Sequence, residues 1–262
     1  MRDPHTTGNG SSEWIEAHPE PCARSLDPNG HDFVARQAIF DRMGEVHGYE
    51  LLFRLGSHNR FTGRSDVATR RMLGNYLLYG VGALTGSQLT FVNCSREALI
   101  GGWVSLLPRT NTVVELVETI NPDEDVVSAC RSLKQMGYRI ALDDFQFSRK
   151  MLALLQLADY IKIDFRVPEK QRRKTLRELK GSEAKFVAEK VETEQELSTA
   201  FEEGFGLFEG FFLEAPRVFS RRKRPDGIER LPLLKAIAEY GPAHQEAEGV
   251  GEVGGGLQPQ PT

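Results

Sequence analysis

The sequence predicts an α/β fold, a TIM-like (β/α)8 barrel in which one strand runs antiparallel to the others. Three observations favour this fold. The length of 262 residues suits a single α/β barrel. Short apolar segments alternate with helix-like segments along the chain. A turn sequence separates the first two strand-like segments, as in a hairpin. Sequence alone separates a closed barrel poorly from an open parallel sheet.

Eight short segments rich in Val, Ile, Leu and Phe have the composition of buried strands. The turn Asp41-Arg42-Met43-Gly44 places one antiparallel strand before the repeating units, and Asn121-Pro122-Asp123 favours the start of a helix. Four phenylalanines, at 205, 208, 211 and 212, are expected in the core. The expected strands are 33–40, 46–55, 89–93, 112–118, 139–143, 160–164, 185–188 and 207–211. The expected helices are 65–80, 123–136, 149–157, 169–179, 193–203 and 231–238.

Composition sets the domain organisation and excludes several classes of protein. Residues 1–31 and 241–262 are rich in small and polar residues, which predicts flexible tails around one barrel domain at 32–240. The net charge of −4 disfavours a DNA or RNA polymer as partner, and the basic run 221–224 is interpreted as a solvated loop. No apolar run approaches about 18 residues, which argues against a membrane span. Three cysteines without metal-type spacing favour the reducing cytoplasm.

Acidic and amide residues lie within nearly every predicted strand or at its carboxyl end. In a barrel these positions converge on one mouth. Gathered carboxylates need cations, and oxygen ligands favour Mg²⁺ or Mn²⁺. Adjacent Asp143 and Asp144 could serve two ions about 3.5–4 Å apart. Taken singly, each group has an ordinary structural explanation: strand-end acids cap helices, Asn93 suits a turn, and Lys162 and Arg54 suit ion pairs or surface positions. The metal prediction therefore rests on their joint placement.

Seven motifs, in order between residues 33 and 216, resemble those of the EAL domain, the bacterial cyclic di-GMP phosphodiesterase family. The similarity is greatest to a subgroup in which an EAL-type half precedes an HDOD half, and the HDOD half is expected to be absent here. The motifs are Glu50-Leu51-Leu52-Phe53-Arg54, Asn93-Cys94-Ser95, Glu115-Leu116-Val117-Glu118, Asp143-Asp144-Phe145, Lys162-Ile163-Asp164, Ala188-Glu189-Lys190-Val191-Glu192-Thr193 and Glu209-Gly210-Phe211.

The resemblance implies an EAL-type barrel that hydrolyses cyclic di-GMP to linear pGpG, usually as a homodimer. It implies a two-metal site for Mg²⁺ or Mn²⁺ with the ligands Glu50, Asn93, Glu115, Asp143 and Asp144. It assigns Lys162, Glu189 and Asp144 to catalysis on the attacking water. The implied substrate contacts are Arg54, Leu52, Glu192 and Glu209, and Glu118 is the residue that anchors the loop after Asp144.

Three departures from the family pattern support an alternative. The loop after the paired aspartates reads Phe145-Gln146-Phe147-Ser148, without the two glycines of the family's D-D-F-G-x-G. Val117 stands for the usual Thr, and Glu209 for the usual Gln. The alternative is a weak or inactive cyclic di-GMP receptor or a protein-interaction module. Retention of all the acidic ligands and Lys162 favours the enzyme.

Overall fold

The computed structural model describes residues 15–16, 31–54 and 82–222 of the chain. Within these ranges the strands and helices alternate from β4 to β9. The strands are β1 (Ile15–Glu16), β2 (His31–Asp41), β3 (Val46–Arg54), β4 (Leu89–Cys94), β5 (Thr112–Leu116), β6 (Arg139–Leu142), β7 (Tyr160–Asp164), β8 (Lys185–Glu189), β9 (Leu207–Phe208) and β10 (Arg217–Arg222). The α-helices are α1 (Gly82–Thr85), α2 (Arg96–Ile100), α3 (Glu124–Gln135), α4 (Leu152–Leu155), α5 (Glu169–Glu178) and α6 (Glu194–Glu202), with 3₁₀ turns at Trp103–Leu106 and Arg149–Met151.

Eight strands, β2 to β9, form a closed barrel. Strands β3 to β9 are parallel neighbours in chain order. Strand β2 runs antiparallel to β3 on one side and to β9 on the other, where Phe40 faces Phe208, and this last pairing closes the barrel. Strand β10 extends the sheet beside the first half of β2, and β1 pairs with β10. The predicted barrel with one antiparallel strand is confirmed.

The β2–β3 hairpin turns at the predicted residues. The Asp41 carboxylate accepts hydrogen bonds from the amides of Met43 and Glu45, at 2.8 and 3.0 Å. Gly44 adopts φ +80°, a conformation that glycine reaches without strain. The turn therefore reverses the chain before the parallel strands begin.

An apolar layer fills the interior of the barrel below its carboxyl-end mouth. It is separate from the larger core that lies between the strands and the helices. Each member comes from a different strand and points inward. The members of this inner layer are Ile39, Phe91, Val113, Ala141, Tyr160, Val187 and Leu207.

The expected ends of β5 and β9 and the expected burial of two phenylalanines are wrong. Strand β9 ends at Phe208, and the Phe212 amide then donates to the Val191 carbonyl, so the chain leaves the sheet. Phe205 and Phe208 are buried, whereas Phe211 and Phe212 are 61% and 44% exposed. Strand β5 likewise ends at Leu116, two residues earlier than expected.

Some expected features lie outside the described residues. These are the helices 65–80 and 231–238, residues 241–262, the end of the basic run and most of residues 1–31. The sequence did not predict β1, β10, α1, α2 or the turn at Trp103–Leu106. Among the helices in the described ranges, none combines the length and apolar character needed to cross a membrane.

Candidate active site

The candidate site lies one layer above the inner apolar layer, at the carboxyl-end mouth of the barrel. Successive strand residues alternate between faces, so a residue two positions later points the same way. Six site residues stand two positions after a member of the inner layer, and Glu50 joins them from β3. The six are Asn93, Glu115, Asp143, Lys162, Glu189 and Glu209.

We call Lys162, Glu50, Glu115, Glu189 and Glu209 the inner cluster. Lys162 is fully buried and lies at its centre. Its Nζ donates to Glu50 Oε2 at 2.7 Å and to Glu115 Oε1 at 2.6 Å. Glu189 Oε1 lies 2.6 Å away and Glu209 Oε2 3.6 Å away. Strands β3, β5 and β8 and the residue after β9 thus bring four glutamates to one lysine, and the acids outnumber the cation.

This excess of acid determines which groups carry protons. Burial, with the charge of Glu50, raises the pKa of Glu115 well above its usual range, and burial does the same for Glu209. Burial raises the pKa of Glu189 to about 8, although Lys162 opposes the shift. The pKa of Glu50 is lowered because Lys162 and hydrogen bonds, including one from Asn93 Nδ2 at 2.9 Å, outweigh its burial. Despite burial, the surrounding glutamates raise the pKa of Lys162.

The inner cluster also has the donor atoms that a hard divalent cation needs. Carboxylate oxygens of Glu50, Glu115 and Glu189 lie within 4.8 Å of one another. Glu115 Oε2, Glu189 Oε2 and Glu209 Oε2 are buried without a hydrogen-bond partner. Buried unpaired carboxylate oxygens are costly, and a cation would compensate them. The residues present therefore fit an oxygen-ligated metal ion.

A second group of acids lies beside it, on the segments that follow β5 and β6. Oxygens of Glu118, Asp143 and Asp144 lie within 4.8 Å of one another. The Asp143 amide donates to the Leu116 carbonyl at 3.0 Å, and the Phe145 amide donates to the Lys162 carbonyl at 2.9 Å. These backbone bonds hold the paired aspartates at the ends of β5 and β7.

The sequence did not assign a role to two further residues at this edge, Lys190 and Asp164. Lys190 Nζ donates to Asp144 Oδ1 at 2.7 Å and to Asp164 Oδ2 at 2.8 Å. We call Asp144, Asp164 and Lys190 the outer cluster. Their positions in the sequence could have identified both residues, since Lys190 directly follows Glu189 at the end of β8 and Asp164 is the last residue of β7.

The structure does not bring every predicted residue to the inner cluster. Glu192 is exposed, and its backbone amide donates to Glu196 Oε2 at 2.7 Å in the turn before α6. Glu118 is exposed beside Asp143 and Asp144, where a loop-anchoring residue is expected. Leu52 is half-buried on β3, and Arg54 is the last residue of that strand, with its side chain outside the described part.

Cavity size does not identify this site. The larger cavity, about 790 Å³, is lined by residues at the amino ends of β6, β7 and β8, such as Arg139, Tyr160 and Lys185. A smaller cavity of about 570 Å³ opens beside Asp143 and Asp144. Barrel enzymes place their chemistry at the carboxyl ends of the strands, and the smaller cavity lies at that end, beside Asp143, Asp144 and Asp164 rather than around Lys162.

A family model described as the EAL domain matches residues 102–216. The chain is also 34% identical over 214 residues to the cyclic di-GMP phosphodiesterase CdgJ of Vibrio cholerae, and this match covers 79% of the chain and 50% of CdgJ. This chain belongs to the EAL domain family. It is also 34% identical over 196 residues to the uncharacterized protein YuxH of Bacillus subtilis, covering 72% of this chain and 48% of YuxH. The chain thus spans about half the length of these curated relatives.

Solved structures agree with the fold of this EAL barrel. The calcium and cyclic di-GMP complex of Klebsiella pneumoniae BlrP1 superposes with a TM-score of 0.59 at 23% identity, covering 79% of this chain and 60% of BlrP1. The EAL domain of Mycobacterium smegmatis DcpA gives a TM-score of 0.55 at 22% identity, covering 70% of this chain and 92% of that domain. At such identities the likeness establishes the architecture, which is that of an EAL barrel.

Proposed function

We propose that this EAL domain is a metal-dependent phosphodiesterase that hydrolyses one phosphodiester bond of cyclic di-GMP and releases linear pGpG. One observation carries the proposal: four glutamates converge on Lys162 with buried, unpaired oxygens at the carboxyl-end mouth of the barrel. An uncatalysed phosphodiester resists attack because its negative charge repels the nucleophile, and a cationic centre removes this obstacle.

The metal part of the proposal is a divalent ion, Mg²⁺ or Mn²⁺. The ligands would be Glu50 and Glu115, with Asn93 adding an amide oxygen, since all of these are hard oxygen donors, and Glu189 is left for the attacking water. Asp143 and Asp144 complete the predicted two-metal ligand set, and their oxygens lie with those of Glu118 in a second acidic group beside this site. Bound metal would lower the pKa of a water molecule and neutralise charge on the phosphate.

The residues of the inner cluster have distinct tasks in this reaction. Lys162 holds Glu50, Glu115 and Glu189 at hydrogen-bond distance and keeps the pocket from carrying a large negative charge. Glu189, whose pKa of about 8 is raised by burial, accepts the proton of the attacking water once it is ionised. The water oxygen bonds to phosphorus, the bond from phosphorus to the ribose oxygen breaks, and that oxygen takes a proton from solvent.

Substrate contacts, assembly and compartment complete the proposal. Leu52 and Arg54 on β3, with Glu192 and Glu209, are the proposed contacts to cyclic di-GMP. A homodimer and the cytoplasm are proposed from the family resemblance and from the cysteine usage.

A receptor that binds cyclic di-GMP with weak or no turnover is the second candidate. The observation in its favour is that the Lys190 ammonium already pairs with Asp144, a residue that hydrolysis is expected to use. Gln146 and Ser148 also lack the positive φ values that glycines permit in this loop.

Release of pGpG from cyclic di-GMP, with Mg²⁺ or with Mn²⁺, tests the proposal. We expect turnover by the natural chain and a loss of roughly 100-fold or more in Glu115→Gln, which removes a buried metal ligand. The matched control is Glu183→Gln, an exposed glutamate near the amino end of β8, which should keep full activity. Binding of cyclic di-GMP without turnover in either metal would establish the receptor instead.

A further inference from the structure

Lys190 adopts an unusual backbone conformation for a lysine. Its φ of +58° lies in the left-handed region, which side chains disfavour. Asp144 has φ +41°, and these two are the non-glycine residues with positive φ in the described ranges. The two strained residues bond to each other, Nζ to Oδ1 at 2.7 Å, although 46 positions separate them in sequence. Strain of this kind persists where the surrounding contacts hold it, and it gathers at functional sites.

The strained backbone of Lys190 and Asp144 places the positive charge of the Lys190 ammonium beside the Asp144 carboxylate. Asp144 belongs to the group of Glu118, Asp143 and Asp144, which has the oxygens that a second divalent ion would use. The Lys190 ammonium occupies Asp144 Oδ1 and is held on its other side by Asp164 Oδ2 at 2.8 Å. A cation arriving at this group would meet a fixed like charge, which disfavours its binding.

The inner cluster differs from this arrangement in a way that matters for metal binding. Lys162 leaves Glu115 Oε2 and Glu189 Oε2 without partners, so an ion has free donor atoms there. At the outer cluster, Asp164 is paired with both Lys190 and Arg166, and Asp144 is paired with Lys190. The inner cluster therefore has free oxygen atoms for a metal ion, whereas the outer cluster already contains the Lys190 ammonium.

We propose that the Lys190 ammonium takes the place of a second divalent ion at Asp144, so that each chain binds one divalent ion, in the inner cluster. This inference rests on the proposed metal site and deepens it. Lys190 is a positioning residue: it orients the Asp144 carboxylate and supplies a permanent positive charge at the mouth. The EAL barrel would then combine one exchangeable metal ion with one built-in cation.

The test counts bound Mn²⁺ per chain by calorimetry, with paramagnetic resonance to detect two ions close together, in the absence of nucleotide. We expect one Mn²⁺ in the natural chain and two in Lys190→Gln, with the second ion bound at least about tenfold more tightly than in the natural chain. Lys190→Gly removes the charge and relieves the positive φ, so it gives the same answer if the glutamine variant folds poorly. Arg166→Gln is the matched control, because it removes a neighbouring cation that contacts Asp164 and not Asp144.

The outcomes separate this inference from the proposed function. Two ions in the natural chain, or one ion in both the natural chain and the Lys190 variants, overturn the inference while the inner metal site stands. A second ion in Arg166→Gln also overturns it, since the effect would be general electrostatics. No ion in the natural chain and one in Lys190→Gln overturns the inference, which requires one ion in the inner cluster of the natural chain, and refutes the inner metal site as well. No ion in any variant overturns both.

Discussion

The inner and outer clusters each consist of a lysine surrounded by carboxylates, yet they differ in burial and in the number of acids for each lysine. Lys162 is fully buried among four glutamates, whereas the Lys190 and Asp144 side chains are each 33% exposed. Burial raises the pKa values of Glu115, Glu189 and Glu209, while hydrogen bonds from Arg166 and Lys190 lower the pKa of Asp164 despite its partial burial.

The difference shows that burial and stoichiometry, more than residue type, decide what an acid–lysine cluster can do. The outer cluster has one lysine for two acids, and Arg166 supplies a second cation to Asp164, so its charges are balanced. The inner cluster has one cation for four acids, with unpaired oxygens, and can satisfy them only by taking up protons or a metal ion.

The largest expected effect is the difference in stability between the variants that lack one or the other lysine. Lys162→Met leaves four buried acids without their cation and should lower the free energy of unfolding by about 3–5 kcal/mol. Lys190→Met removes a partly exposed pair and should cost about 1 kcal/mol or less. Urea unfolding of both variants measures the difference, and equal losses would contradict the distinction drawn between the two clusters.

Gly210 connects the two clusters, because it follows Glu209 and packs on the backbone of Val191, next to Lys190. A Cβ at this position would overlap the Val191 carbonyl oxygen and the Val191 amide nitrogen. Gly210→Ala should therefore destabilise the fold by about 1–3 kcal/mol and reduce metal binding. Gly206→Ala is the control, since a Cβ there has no atom within 4 Å. Equal melting temperatures for the two variants would refute the proposed packing constraint.

The pH dependence of stability should reveal the inner cluster in the metal-free protein. The folded state holds protons on Glu115, Glu189 and Glu209 that the unfolded state releases, so stability falls as pH rises from about 4.5 towards 8. His47, whose pKa burial lowers, acts in the opposite sense. We expect the melting temperature with EDTA to drop by several °C between about pH 5 and 8.

Metal ions should reverse that trend. Mn²⁺ displaces the protons of the inner cluster, so it should stabilise the protein more at about pH 8 than at pH 5. Calorimetry in buffers of different ionisation enthalpy measures the protons released. A melting temperature independent of both pH and Mn²⁺ would show that the inner acids are not protonated as described.

The smallest expected effect concerns Glu209, which stands where the family usually has Gln. Glu209→Gln keeps the shape and the hydrogen bond to Glu50 but removes a buried titratable group. Stability at about pH 8 should rise by up to about 1 kcal/mol, and the fall between pH 5 and 8 should shrink. Thermal melts at both pH values test this, and an unchanged pH slope would remove Glu209 from the protonated set.

Local patterns were enough to predict most of the barrel. The hairpin at Asp41–Gly44 and the strands from β2 to β8 follow from turn chemistry and apolar runs, which act over a few residues. The ends of β5 and β9 were placed too late because Glu118 and Phe211 continue the local pattern after the sheet has ended. The exposure of Phe211 is decided by the contact of the following chain with Val191, which lies about twenty residues away in sequence.

The sequence by itself determined the fold class, and it determined that the acids at the strand ends share one mouth. Both follow from the order of strand-like and helix-like segments along the chain, which is visible in the local sequence. Only the tertiary structure decided how those acids are charged, which oxygens remain unpaired, and that Lys190 reaches Asp144 rather than solvent. These properties depend on burial and on distances between strands far apart in sequence, where electrostatic energies change steeply over a few ångströms.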